Sequence, residues 1–313
     1  MPPALPLAPP RVEVVDRPDG TTLVRSPVPL LAHARCVTEW LERWAVERPE
    51  TVFLAERGAD GALVRWTYSA VHRAVLATAA GLLELGATAQ RPVLILSNNS
   101  IEHAILSLAA QHVGIPAVPI SPAYSLLSTD HAKLRAIVEL CRPAVIFVEE
   151  HAPYAPALAA LDRGDHALVV GRGEPPDGTI LAPRLRETPL TERVAQAYGA
   201  VGPDTVAKVL FTSGSTGEPK CVLNTQRMLT SNQQMISQCW PFLRERPPVL
   251  VDWLPWNHTF GSNHNFFMVL ANGGTLTINA GKPAPGLVDA TVENLREVAP
   301  TLYFDVPRGF EML

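Results

Sequence analysis

The chain has 313 residues, 47% of them hydrophobic and 18% charged, with a formal net charge of -4; that length and composition fit a globular protein with a sizeable core, divided into two domains or subdomains. The acidic balance leaves no basic surplus to grip a nucleic-acid backbone, and no apolar run nears the ~18 residues that a membrane span needs. The start MPPALPLAPP lacks the basic head and apolar core of a signal peptide, so the expectation is a cytoplasmic protein without nucleic-acid or membrane partners, its oligomeric state unspecified.

Residues 1 to 34 contain eight prolines and little periodicity, which predicts an extended N-terminal arm on the surface. A helix follows over residues 37–47, where Trp40, Leu41 and Trp44 recur at helical spacing and Pro49 follows the end. After a turn at Gly58 to Gly61, LVRWTYS reads as a strand, and Ser69 can cap a long helix ending near Gly86. Residues 92–96 form a buried-type strand. The polar turn SNNS then leads to a helix with Ile101, Ile105, Leu108 and His112 on one face. A strand at 117–120, a helix carrying Leu134, Ile137, Val138 and Cys141, and a strand at 144–148 continue the alternation. Such alternation predicts an α/β domain with a parallel-rich sheet. No GxGxxG follows any of these strands, so a dinucleotide site has no support. His103, His112 and His131 read as surface or satisfied core histidines.

The segment 171–189, with three glycines and four prolines, reads as an exposed connector between a first α/β subdomain at 35–190 and a second, partial one at 191–313. Residues 225–240 then read as a helix with Leu229, Ile236, Met228 and Met235 on its apolar side, the methionines in the core. The four cysteines, Cys36, Cys141, Cys221 and Cys239, form no CxxC pair and read as reduced, with Cys36, Cys141 and Cys239 as small core residues. The nine histidines show no HExxH spacing, so no protein-bound metal site is expected.

Two stretches carry chemistry. In VLFTSGSTGEPKCV, residues 209–222, an apolar strand opens into a loop at 212–220. Gly214 and Gly217 leave backbone N–H groups free to converge on an anion. Thr212, Ser213, Ser215 and Thr216 add hydroxyl donors, and Lys220 brings a positive charge with three N–H donors. Together they suit a polyphosphate, although the same residues between two strands also make a plain surface turn. The spacing is not that of P-loop NTPases, which place four residues between the glycines where two stand here.

In LVDWLPWNHTFGSNHNFFMVLANGGTLTI, residues 250–278, a polar and aromatic break at 255–267 separates a strand from a helix and a second strand. Trp256, Asn257, His258, Thr259 and Phe260 combine rings with polar ends, as a pocket for a flat, polar-ended acid requires. Alternatively, the break is a tryptophan-rich turn in which His258 caps the next helix.

TSGSTGEPK resembles the phosphate-binding signature of the adenylate-forming superfamily of acyl-CoA and aryl-CoA ligases, luciferases and peptide-synthetase adenylation domains. Cys221 departs from the glycine that members often carry after the lysine. His258, Phe260 and Gly261 match a histidine, aromatic and glycine pattern that recurs beside the acyl substrate in that superfamily. PWNHTFGSNHNFFMVLANGGTLTI and NLREVAPTLYFDVPRGFEML, with SNNSIEHA and SPAYSL, resemble feruloyl-CoA synthases, so the likeness runs from about residue 30 onward.

The resemblance implies a large N-terminal domain of the adenylate-forming fold and ATP, Mg2+ and coenzyme A as co-reactants. It further implies that an acid is adenylated, with loss of pyrophosphate, and then transferred to the coenzyme A thiol. Thr212, Ser213, Gly214, Ser215, Thr216, Gly217 and Lys220 would hold the β- and γ-phosphates, magnesium bridging their oxygens. Trp256, Asn257, His258, Phe260 and Gly261 would line the acid site, with His258 positioning the acid or gating its pocket. Later superfamily motifs have no match, and Lys208 and Lys282 lack the context of the superfamily's catalytic lysine. The expectation is the front portion of a ligase. A non-catalytic or partner-dependent nucleotide binder, and a benzoate or fatty-acid ligase, are the alternatives.

Overall fold

The computed structural model describes residues 5–161, 164–212 and 219–313. Two larger sheets organise them. One has seven strands in the order Lys220–Thr225, Val206–Thr212, Ala117–Pro119, Val93–Leu96, Val145–Glu150, Ala167–Arg172 and Ile180–Leu181. All run parallel except Lys220–Thr225, which is antiparallel to Val206–Thr212. The other orders Val249–Asp252, Thr275–Ile278, Val52–Arg57 and Leu63–Thr67, the last antiparallel to its neighbour. The expected parallel-rich α/β architecture is present.

The seven-stranded sheet is covered on both faces. Val93, Ile95, Val145 and Phe147 join one apolar cluster, while Leu94, Leu96, Ile146 and Val148 join another on the opposite side. Alternating side chains that are all apolar are what a sheet buried on both faces demands.

Helix Ile101–His112 lies between the two sheets, touching Val52–Arg57 in one and Val93–Leu96, Ala117–Pro119 and Val206–Thr212 in the other. It starts where Ser100 Oγ accepts the His103 N–H at 3.1 Å. Every residue of the helix except Glu102 is buried, so it has no solvent side, unlike the one-faced helix expected. Helix Tyr68–Glu84 is capped by Thr67, whose hydroxyl accepts the Ala70 N–H at 3.3 Å, rather than by Ser69.

Other expectations are refined or corrected. The arm carries an exposed hairpin, Glu13–Asp16 paired with Thr22–Arg25, turned through Gly20 at φ 82°. The segment 171–189 is no linker, because it supplies the end of strand Ala167–Arg172, the edge strand Ile180–Leu181 and the short helix Ala182–Leu185. Nor does a boundary near residue 190 separate the sheets: each takes strands from both sides of it. In helix Gln226–Cys239, Leu229 is buried but Met228 and Met235 are 57% and 47% exposed, and Cys239 is exposed. The core places that the methionines were expected to fill on this helix go instead to Thr230, Gln233 and Ser237. Among the described residues no helix is long and apolar enough to cross a membrane.

Candidate nucleotide and acid site

Strands Val206–Thr212 and Lys220–Thr225 form a hairpin whose closing pair is Thr212 opposite Lys220. Both side chains are exposed. Ser213, Gly214, Ser215, Thr216 and Gly217 belong to the connection and lie outside the described residues. Because Val206–Thr212 runs parallel to Ala117–Pro119, the hairpin turns at the carboxyl edge of the parallel strands. Ligands of open α/β sheets bind along that edge.

The acid-site segment reaches the same region through Asn99, which follows strand Val93–Leu96. Its amide donates to Leu254 O at 2.9 Å, and its Oδ1 accepts the Trp256 N–H at 3.0 Å. This two-way clamp bridges the two sheets and turns the Trp256 ring inward. The ring is 4% exposed and stands edge-on to His103 and Phe266, with centroids 5.0 and 4.9 Å away. Burial drives the His103 imidazole down to about 3, so it is neutral, with Nδ1 lying 3.2 Å from Asn98 O.

Beyond Trp256, the His258 N–H donates to Pro255 O at 3.1 Å, and His258 O accepts from the Ser262 N–H and hydroxyl at 3.1 and 2.9 Å. The His258 side chain is exposed. Residues Phe260–Phe266 then wind as a π-helix before the α-helix Phe267–Ala271. Such wide turns cost hydrogen-bond geometry and gather at functional sites. Gly261 has a steric reason here: a Cβ at that position would lie 2.2 Å from Leu254 O.

Two side chains fix the π-helix. Asn263 donates to Asn224 Oδ1 at 2.8 Å, and Gln233 Nε2 donates to Asn263 O at 2.7 Å. Between the π-helix and helix Gln226–Cys239 lies a groove of about 350 Å³, lined by Met228, Asn232, Phe260, Asn263 and His264 among others. Phe260, 39% exposed, stands edge-on to His264 at 5.5 Å. Of the residues expected to line an acid site, Phe260 lines this groove; Asn257 and His258 precede it in the chain, and Trp256 and Gly261 are buried away from it. Asn99, Asn224, Asn263 and Gln233 had been passed over. Asn224 and Gln233 show in the sequence only as polar residues within a strand and a helix, and Asn99 and Asn263 only as members of polar turns.

Lys208 is 4% exposed, lies 5.0 Å from the Phe267 ring, and is pushed down to about 7 by burial. It sits in the sheet interior, away from the loop. Lys282 Nζ reaches Asn98 Oδ1 at 3.4 Å, near the same carboxyl edge. Among the described residues no group of three or more His, Cys, Asp or Glu is placed to hold a metal ion.

The AMP-binding enzyme family model matches residues 41–313. The chain therefore belongs to the AMP-binding enzymes, the adenylate-forming family whose signature the loop carries. It is 28% identical over 216 residues to the long-chain-fatty-acid–AMP ligase FadD23 of Mycobacterium tuberculosis, which covers 66% of this chain and 34% of that protein. It is 29% identical over 255 residues to 4-coumarate–CoA ligase 3 of Oryza sativa subsp. japonica, covering 79% and 44%. The fold matches the crystal structure of the anthranilate CoA ligase AuaEII in complex with anthranoyl-AMP, with a TM-score of 0.72, 21% identity, and 91% and 52% coverage. The chain thus spans about a third of the first of these two curated relatives and less than half of the second.

Proposed function

We propose that this chain carries the phosphate loop and acid-site segment of an acid–CoA ligase that activates an aromatic, hydroxycinnamate-like acid such as ferulate. The observation that carries the reading is the hairpin at the carboxyl edge of the sheet, closed by Thr212 and Lys220, in a chain of the AMP-binding family.

The residues present fit the co-reactants. Lys220 and Thr212 are exposed where a polyphosphate would lie, and Ser213 to Gly217 join them in the chain. Bound ATP would supply the electrophilic α-phosphorus, and magnesium would help to stabilise the pyrophosphate leaving group. Lys220 would neutralise charge on the departing pyrophosphate. His258 would orient the acid rather than take a proton, since a carboxylic acid is already ionised at neutral pH. Coenzyme A would be the acceptor.

A ring with polar substituents suits a groove that places Phe260 and Met228 beside Asn232, Asn263 and His264. Polar walls of that kind serve a long alkyl chain poorly. The test is ATP–pyrophosphate exchange by the gene product purified from its own cell, with ferulate, benzoate and a long-chain fatty acid in parallel. Exchange strongest with ferulate supports the reading; exchange only with the fatty acid overturns the substrate class, and nucleotide binding without exchange leaves a non-catalytic binder.

A further inference from the structure

The N-terminal arm lies along helix Gln226–Cys239 and is bonded to it from one end to the other. Gln226 Oε1 accepts the Val37 N–H at 3.0 Å, the Thr230 hydroxyl lies 2.8 Å from His33 Nδ1, and Gln238 Oε1 accepts the Leu31 N–H at 2.9 Å. Gln238 also returns a bond, its Nε2 donating to Pro29 O at 3.1 Å, so one side-chain amide pairs with the arm backbone in both directions. At the helix end the Ala8 N–H donates to Cys239 O at 3.0 Å, which satisfies a carbonyl that the last turn leaves without a partner inside the helix.

The spacing of these contacts places them. Gln226, Thr230, Gln234 and Gln238 recur every four residues and so share one side of the helix, with Gln234 Nε2 donating to Gln238 Oε1 at 3.1 Å. Met228 and Asn232, which line the groove beside the π-helix, lie about 160° round the axis from that row. The helix therefore carries the arm on one side and a wall of the groove on the other.

Hydrogen bonds fix this helix more than apolar burial does. Of its five buried residues, Gln226, Leu229, Thr230, Gln233 and Ser237, one is a hydrocarbon. Gln233 ties the helix to the π-helix through the carbonyls of Asn263 and His264, and the arm adds its bonds along the row from Gln226 to Gln238. The arm itself hides little hydrocarbon, since Val28, Leu30 and Leu31 are 47%, 45% and 52% exposed. A segment held by directional bonds rather than by a buried face can lift while the core stays folded.

We propose that the arm is a strap that sets the acid groove through helix Gln226–Cys239, with Gln238 as the positioning residue that fastens it. The inference rests on the reading of that groove as the acid site. With the strap fastened, Met228 and Asn232 are held opposite Phe260 and Asn263; with it released, that wall shifts and the acid loses contact. ATP does not, because Lys220 stands on a strand that Val206–Thr212 holds in place.

Gln238→Ala in the full gene product tests it. Amide hydrogen exchange at residues 29–31 should quicken about tenfold as the strap comes off, while the melting temperature stays within about 4 °C of the wild type. The KM for ferulate should rise about fivefold, with kcat and the KM for ATP within about twofold. Gln238→Glu keeps the acceptor for Leu31 and should fall between the two. Faster exchange of the arm with an unchanged KM for ferulate would make the contact structural and overturn the proposal, as would arm exchange that Gln238→Ala leaves as it was. If no aromatic acid is turned over, the acid reading fails separately, and the strap is read from NMR of methyl-labelled methionine. A shifted Met228 signal in Gln238→Ala then shows the strap moving the groove wall, and an unmoved one overturns it.

Discussion

Asn263 of the π-helical turn donates its amide N–H to Asn224 Oδ1 across 2.8 Å, and Asn224 stands on the strand Lys220–Thr225 that begins with the loop lysine. One hydrogen bond thus ties the hairpin that carries Thr212 and Lys220 to the segment carrying His258 and Phe260. Asn224 is 7% exposed, so losing its partner leaves a buried acceptor unpaired. Asn263→Ala and Asn224→Ala should each lower stability by about 1–2 kcal/mol in urea unfolding. The double variant should be less destabilised than the sum of the two by on the order of 1 kcal/mol. Simple additivity would mean that the two asparagines do not couple.

Lys220 and Thr212 face each other at the mouth of the hairpin with their side chains in solvent. Removing the ammonium costs little in folding, because no buried contact is lost. It should cost ATP affinity about tenfold or more, the worth of a charge-assisted contact to phosphate. Equal affinity for ATP in Lys220→Ala and wild-type protein, measured by nucleotide titration, would remove the loop from the nucleotide site.

Gly261 is required by packing rather than by backbone angle. Its missing Cβ leaves room for Leu254 O, and a methyl there would also fall 2.7 Å from Pro255 O. Both contacts are backbone, which cannot swing aside as a side chain can. Gly261→Ala should therefore destabilise by about 1–3 kcal/mol or displace the turn, with a matching change in Trp256 fluorescence. A variant with wild-type stability and spectrum would show that the turn is looser than its contacts indicate.

The strands were legible because their chemistry is local. Val93–Leu96 and Val145–Val148 are unbroken apolar runs, and Ser100 stands where a cap belongs. Pairing was not legible, since Val52–Arg57 joins Thr275–Ile278 only through contacts more than two hundred positions apart. Gly171 misled for a physical reason. It was taken as a breaker, yet a Cβ there would lie 2.9 Å from Glu149 O, so it marks close strand packing. The same holds for the candidate site. Trp256 looked like a pocket wall, but the clamp from Asn99, 157 positions earlier, turns its ring into the core. Nothing near Trp256 in the sequence announces that partner.

Asp252 ends strand Val249–Asp252 and is 2% exposed; burial raises its carboxyl from 3.8 to about 7. Unfolded, it ionises near its ordinary value; folded, it keeps its proton to near neutrality. The folded state therefore binds more protons between those values, and stability falls as pH rises from about 4 to 7, the loss being complete above 7. Asp252→Asn keeps the Oδ1 that accepts the Leu254 N–H at 3.0 Å and removes the titration. The variant should gain on the wild type from pH 5 to 8 by about 3 kcal/mol, almost all of it below pH 7. His103, held near 3, acts in the opposite direction below its unfolded value of 6.5, so the difference between variant and wild type is the quantity to follow. A pH-independent difference would place the Asp252 proton elsewhere.

Phe260 offers the sharpest test of the substrate class, because it touches the groove and little else. Its ring is 39% exposed, in contact with His264 at 5.5 Å and Phe304 at 6.2 Å between centroids. Truncation should leave stability within about 1 kcal/mol of wild type, as for a partly exposed side chain. If the ring covers the plane of an aromatic acid, Phe260→Ala should raise the KM for ferulate about tenfold, the cost of ~1.4 kcal/mol of lost contact. The KM for ATP should not move if the phosphates are held, as proposed, by the hairpin rather than by the π-helix. Equal effects on acid and ATP would signal a general disturbance of the site. An unchanged KM for the acid would place the ring of the substrate outside this groove, and the search would move to the His258 side of the turn.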